Sequence, residues 1–200
     1  MRDIIRMIVV LSLICGVSGG LLAGVRIGTK ERIEYQELAY VKGPAIRDVL
    51  RGCSNNPIQD RFKIRYGDRE ISFFPGKFNG KLNVVAFETT GKGFGGEIGI
   101  MMAVNLDNDK VVGIDITTHK ETPGVGSRAK DDTVFKGSFK GLSVDDPFRL
   151  KSEGGKVDAV SGATITSKGV AAGVAKGAML YKKLKPYILE KIKNRTENNI

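Results

Sequence analysis

From Met7 to Val25 the chain reads MIVVLSLICGVSGGLLAGV, without one charged side chain. A helix rises ~1.5 Å per residue, so a run of this length reaches across a hydrocarbon core ~30 Å thick. That constrains the chain more than any other feature, because whatever follows a single span has to fold on one side of a bilayer. Arg2 and Arg6 precede the run, and Arg26, Lys30 and Arg32 follow it. Flanking charge alone does not fix the orientation. A cleaved signal peptide fits less well: the run is longer than a usual h-region, no clear A-x-A site follows it, and Cys15 lies mid-run with no lipobox ahead of it. A retained single-pass anchor in the cell (inner) membrane is expected, with the lipid bilayer as a partner. The short stub carrying Arg2 and Arg6 favours an extracytoplasmic soluble part. Gly16, Gly19, Gly20 and Gly24 would let another membrane helix approach closely. Glycine is also common in spans, so that stripe leaves both readings open.

The bulk numbers suit one globular domain plus this small extra element: 200 residues, 41% hydrophobic. The formal charge is +10, of which residues 1–29 hold +2 and the remainder about +8. A basic surface suits nucleic acid, anionic lipid or an acidic partner. No recognition-helix pattern, zinc spacing or RNA-binding aromatic signature accompanies it, so no nucleic-acid partner is expected. The two cysteines, Cys15 and Cys53, offer no disulfide framework, C-x-x-C pair or haem attachment. The single histidine, His119, cannot build a multi-histidine metal site, and no metal is expected.

Beyond the anchor, residues 30–42 look helical, and Pro44 starts a second short helix, PAIRDVL, ended by Gly52. Strand patterns then take over. RFKIRY alternates Phe62, Ile64 and Tyr66; Gly67-Asp68 reads as a turn; Ile71 and Phe73 resume the alternation. Asn79-Gly80 is a strong hairpin signal leading into a strand over 82–90. Further strands are expected over 98–104 and 111–118, joined antiparallel through NLDNDK. The loop HKETPGVGSRA follows, then a short helix or turn to about Lys140, then an irregular segment over 141–160. The last element is a helix with Ser167 as N-cap and a stop at Pro186. Gly169, Gly173 and Gly177 recur on one face of it. Each costs ~1 kcal/mol against alanine in a helix interior, so that face is expected to press on the sheet. The fold class is therefore α+β: a mainly antiparallel sheet packed with helices, preceded by one N-terminal transmembrane helix.

Just before the last helix stands DAVSGATITSK, residues 158–168, with hydroxyls at Ser161, Thr164, Thr166 and Ser167. A helix N-terminus presents unpaired N–H groups and suits a phosphate, and Gly162 and Ala163 let a bulky group come near the backbone. The stretch is neither a GxxxxGK[ST] P-loop nor a G-x-S-x-G elbow. On spacing alone, ordinary turn-and-cap chemistry and an attachment point remain open.

The pattern Asp158, Ser161, Gly162, Ala163, Thr164 resembles the flavinylation motif of the FMN-binding domain, found in the G subunit of the Rnf electron-transport complex and the C subunit of the sodium-translocating NADH:quinone oxidoreductase. HKETPGVG at 119–126 and GKGFGGEIGI at 91–100 resemble two further signatures of that family, in the same order. The membrane run looks more like the Rnf subunit. The resemblance implies FMN as a covalent cofactor, its phosphate esterified to Thr164. It implies a phosphate pocket shaped by Ser161, Gly162, Ala163 and Thr166. Glu121, Thr122, Pro123 and Gly124 would line the ring or ribityl chain with His119 near them, while Gly93, Gly95 and Gly96 either approach the flavin or only turn the strand. Lys168 either screens the phosphate or is a solvated lysine. Asp158 would belong to what a separate flavin transferase recognises, with FAD as donor. The implied organisation is a membrane anchor over 1–29, a helical connector over 30–60, the FMN-binding domain over 61–190 and a polar tail over 191–200.

The resemblance further implies an electron-relay subunit of an ion-translocating oxidoreductase, not catalytic alone, working with other membrane and redox subunits. For Rnf the overall reaction joins reduced ferredoxin to NAD⁺, coupled to Na⁺ or H⁺ movement. The chain has no nicotinamide fingerprint and no ferredoxin-type cysteine cluster, so it would be one relay in that route. Three alternatives stand beside it: a C-type subunit of the quinone oxidoreductase, an anchored sensor holding a phosphorylated ligand reversibly, and a hydrolase using Ser161 or Thr164 with His119. No carboxylate or histidine lies in the membrane run, so that helix is not expected to conduct ions.

Overall fold

A computed structural model describes residues 2–197, in two compact units that divide between Tyr40 and Val41. The last three residues of the expected polar tail lie outside the described residues.

The first unit is a helix, α1 (Arg2–Gln36), and the start of a π-helical turn, Glu37–Lys42, whose last two residues fall in the second unit. Its stretch Arg2–Lys30 is long and apolar enough to cross a membrane, and its most apolar window has nothing buried against protein. It fits a single-pass membrane anchor.

The second unit opens with α2 (Gly43–Val49), which carries Pro44 in its first turn. Five strands follow: β1 (Phe62–Tyr66), β2 (Arg69–Phe78), β3 (Lys81–Lys92), β4 (Glu97–Asn105) and β5 (Lys110–Thr118). They pair in sequence order, every neighbour antiparallel, as the α+β reading expects. The turn chemistry explains the order. Asn79 and Gly80 both take positive φ, 50° and 80°, and close β2 onto β3 with Phe78 opposite Lys81. Between β4 and β5, Asn105 Oδ1 accepts the amides of Asp107 and Asn108 at 2.9 and 3.2 Å.

Successive strand residues point to opposite faces. One face carries Phe73, Val85, Phe87, Ile100, Met102 and Ile114 into the main core. The other buries Phe74, Ala86, Met101 and Ala103, and there Leu50, just after α2, lies beside Gly76. After β5 come two short helices, α3 (Arg128–Asp131) and α4 (Thr133–Gly137), a 3₁₀ turn at Lys151–Glu153, and the long α5 (Thr164–Glu197).

α5 lies across β3, glycine to glycine. A Cβ at Gly91 would stand 2.0 Å from the carbonyl oxygen of Gly169, and one at Gly169 would stand 2.4 Å from the carbonyl oxygen of Lys92. At Gly173 it would meet the amide nitrogen of Gly91 at 2.9 Å. Thr89 Oγ1, buried beneath, donates to the Gly173 carbonyl at 3.0 Å. The helical glycine stripe therefore has the reason expected of it.

Two expectations for α5 are corrected. Ser167 is not the N-cap, because the helix starts at Thr164 and Ser167 sits inside its first turn. Its Oγ folds back instead, donating to the Ala163 carbonyl and accepting the Val160 amide, both at 3.0 Å. Nor does the helix stop at Pro186, which lies inside it. Proline in a helix interior costs ~3 kcal/mol, and tertiary contacts beyond it offset that. Ile188 and Ile192 are buried in the main core, as is Leu184 just before the proline. Arg195 donates to the carbonyls of Asp60 and Arg61 and lies over the Phe62 ring, 5.5 Å from its centroid. Further back, Tyr181 and Lys185 both donate to Asp109 at the β4–β5 turn, at 2.7 Å. Burial and that carboxylate push the Tyr181 hydroxyl far above its ordinary pKa.

The glycine contact is testable. Gly169→Ala gains helix propensity worth ~1 kcal/mol but drives a methyl into backbone that cannot step aside. A net loss of about 2 kcal/mol is expected by denaturant unfolding. Gly113→Ala, where an added Cβ meets nothing within 4 Å, should stay within about 0.5 kcal/mol of wild type.

Candidate functional site

The first turn of α5 is built by the residues before it. Gly162 takes φ 80°, the Ala163 amide donates to the Val160 carbonyl at 3.0 Å, and the Ala163 carbonyl accepts the Ser167 amide at 2.9 Å. The chain thus turns sharply and enters the helix at Thr164. The amides of that turn have no helical acceptor and carry the positive end of the helix dipole. The hydroxyls divide cleanly. Ser161 and Thr164 are exposed, whereas Thr166 is 2% exposed and Ser167 fully buried.

What Thr166 reaches is Glu121, three residues beyond β5 and itself only 5% exposed. Its carboxylate accepts the Thr166 hydroxyl, the Gly95 amide at 2.7 Å and the Phe94 amide at 3.3 Å. Three glycines make room for it. A Cβ at Gly93 would stand 2.5 Å from Glu121 Oε1, one at Gly95 would stand 2.0 Å from the Lys120 carbonyl oxygen, and one at Gly126 would stand 2.7 Å from Glu121 Oε2 and 2.8 Å from Thr166 Oγ1. One buried carboxylate therefore joins the β3–β4 loop, the 119–126 loop and the start of α5. These are the three stretches that the sequence singles out.

Burial pushes the Glu121 pKa up. The hydrogen bonds from Thr166, Gly95 and Phe94 and the charge of His119 outweigh it, so the group sits below its ordinary value.

The remaining residues divide by surroundings. Thr122, Pro123 and Gly124 are exposed on a tight loop, in which the Val125 and Ser127 amides donate to the Thr122 carbonyl and the Gly124 amide donates to Ser127 Oγ at 2.9 Å. His119 is half-buried, and its Nδ1 is shut off from solvent with no hydrogen-bond partner. Phe94, Ile165 and Val125, each next to a residue on the Glu121 carboxylate or bonded to it, expose 71, 55 and 46% of their surface. Sequence reading missed them. The only local signal was a lone phenylalanine among glycines in GKGFGG, an odd place for an apolar side chain with no core to enter.

Asp158 and Lys168 are engaged elsewhere. Asp158 pairs with Lys151 at 2.7 Å, and its amide donates to Ser138 Oγ at 3.1 Å. Lys168 pairs with Glu153 at 2.6 Å. Among the described residues, no hydrogen bond joins His119 to Ser161 or Thr164, as a hydrolytic pair would require. No group of three or more metal-ligating side chains occurs among them either.

The arrangement suits a flavin nucleotide. It offers a helix N-terminus for a phosphate, an exposed hydroxyl beside it, apolar side chains left uncovered around it, and one buried imidazole nitrogen without a partner.

A family model described as the FMN-binding domain matches residues 93–178, from the β3–β4 loop into α5. The G subunit of an ion-translocating oxidoreductase complex from Cereibacter sphaeroides is 33% identical; the match covers 72% of this chain and 65% of that relative, just under two thirds of its length. The G subunit of a proton-translocating ferredoxin:NAD(+) oxidoreductase complex from Clostridium ljungdahlii is 31% identical over 82% of this chain and 84% of its own. Among solved structures, the C subunit of the Na(+)-translocating NADH-quinone reductase of Parabacteroides distasonis superposes with a TM-score of 0.50 at 23% identity, covering 66% of this chain and 68% of that one. That likeness concerns the fold.

The depressed pKa sets a sign for acid stability. A carboxylate held below its unfolded value stabilises fully above ~4.3, the ordinary glutamate value, and loses that contribution as pH falls through the folded value. The difference in unfolding free energy between wild type and Glu121→Gln, followed by urea titration, should be largest above pH ~5 and shrink toward pH ~3. A constant difference would show that the ionised form contributes nothing.

Proposed function

The chain belongs to the FMN-binding-domain family that includes the G subunits of ion-translocating oxidoreductase complexes, and on that premise we propose that it is a membrane-anchored electron carrier holding FMN in phosphodiester linkage to Thr164. The observation that carries this reading is the sorting of hydroxyls at the start of α5. Thr164 opens to solvent on the first residue of the helix, while Thr166 and Ser167 are buried and engaged.

The residues take these roles. Thr164 Oγ forms a bond to the flavin-side phosphorus of FAD as the pyrophosphate bond breaks; AMP leaves, and a flavin transferase takes up the hydroxyl proton. The first-turn amides of α5 satisfy the one negative charge that a phosphodiester keeps. Ser161, Gly162 and Ala163 shape the phosphate pocket from the turn, and Thr166 from beneath through its bond to Glu121. Thr122, Pro123 and Gly124 line the ribityl chain or ring, with His119 near them. Asp158 serves the transferase as a recognition group. Bound FMN supplies one- and two-electron redox chemistry, which no side chain can. A covalent tether removes the translational cost of keeping the cofactor bound.

The wider setting is proposed on the same premise. Residues 1–29 anchor the chain, 30–60 connect, and 61–190 carry the flavin on the extracytoplasmic side; the expected polar tail over 191–200 is replaced up to Glu197 by the end of α5, with Ile192 in the core. Electrons pass between redox centres of neighbouring subunits, in a complex that couples ferredoxin and NAD⁺ chemistry to ion movement. The anchor itself does not conduct ions.

Co-expression with a flavin transferase tests the reading. A denaturing gel under ultraviolet light should show a yellow-green band for wild type and none for Thr164→Ala. Peptide mapping should place one FMN, less one water, on Thr164. A dark wild-type band from such material would sink the proposal.

A further inference from the structure

Four hydroxyls crowd the start of α5, and something in this chain must select among them. We propose that Glu121 is the positioning residue that makes the selection: by holding Thr166 inward it sets the rotation of the first turn of α5 and so turns Thr164 outward as the acceptor. The inference rests on the attachment reading above and extends it to a residue that touches neither the acceptor oxygen nor the incoming phosphate.

The geometry of a helix carries the argument. Residues advance ~100° each around the axis, so Thr164 and Thr166 stand ~200° apart, on nearly opposite sides. If one faces the protein interior, the other faces solvent, and here Thr166 is 2% exposed while Thr164 is exposed. The inward partner of Thr166 is the Glu121 carboxylate. That carboxylate does not move freely to follow the helix, because the Gly95 and Phe94 amides hold it from the β3–β4 loop. Gly126 leaves the space in which the hydroxyl and carboxylate meet. Ser167 is held by a separate pair of bonds, to Val160 and Ala163, so its exclusion does not depend on Glu121. The low pKa of Glu121 keeps it an acceptor at neutral pH, the form that can take three donors at once.

A role in positioning differs from a role in recognition, and the kinetics separate them. The full chain in detergent, purified without flavin as wild type, Glu121→Ala, Glu121→Gln and Thr166→Val, is incubated with a flavin transferase and FAD. Covalent flavin is followed against chain concentration, the adduct is mapped, and circular dichroism reports the folded fraction. Glu121→Ala should lower kcat at least ~10-fold, the scale of a misplaced reacting atom, with KM for the chain unchanged and part of the residual adduct on Thr166. Glu121→Gln, which keeps an acceptor oxygen, should fall between. Thr166→Val should lose less than Glu121→Ala, because its carboxylate keeps both backbone donors, and should carry flavin on Thr164 alone. If Glu121→Ala does not fold, the other two variants decide, each required to show a lowered kcat at unchanged KM. Wild-type kcat in the Glu121 variants, or a loss no larger than their unfolded fraction, overturns the proposal. A wild-type chain left bare overturns the attachment reading and this inference with it, so the two failures are distinct.

Discussion

The approach of α5 to β3 without side chains between them is the contact on which the rest of the soluble unit depends. Where Gly169 and Gly173 meet Gly91 and the Lys92 carbonyl, two backbones lie closer than any Cβ would allow. Such a contact has almost no freedom to slide, because a shift of one residue would bring a side chain into the gap. It therefore fixes both the height and the angle of the helix on the sheet. Gly169 is just over one helical turn from Thr164, so the N-terminus of α5 is delivered to a set place beside the β3–β4 loop.

Electrostatics completes what packing begins. A carboxylate buried to 5% exposure is costly unless its oxygens are bonded, and those of Glu121 take donors from two other segments. The loops that it joins have few apolar contacts of their own, and hydrogen bonds to an ion stand in for a core. The same segments leave Phe94, Val125 and Ile165 uncovered.

Much of the scaffold was legible in the sequence because it is written locally. The uncharged run, the Asn79-Gly80 turn, the strand alternation and the spacing of glycines in α5 each imply their structure within a few residues. The two misread helix boundaries share a different cause. Ser167 has the right chemistry for a cap, yet its oxygen turns toward Ala163 and Val160 once the Gly162 turn places them there. Pro186 has the right chemistry for a stop, yet Ile188, Ile192 and Arg195 find partners in the core and on the chain near β1. At the site, the sequence marks the segments but not the orientation of their side chains. Glu121 meets its donors 26, 27 and 45 residues away, and no local pattern encodes a bond of that span.

The tie between Arg195 and the backbone at Asp60 and Arg61 has a temporal consequence. The far end of α5 closes against the residues leading into the first strand, so the domain's fold is a loop drawn shut by a helix that follows all five strands. Every strand leaves the ribosome before that helix does, with one sheet face still bare. Until α5 docks, the Glu121 carboxylate lacks its Thr166 donor and holds the β3–β4 loop through the Phe94 and Gly95 amides alone. Thr164 is therefore presented to solvent on an ordered helix start only once α5 has docked on the sheet.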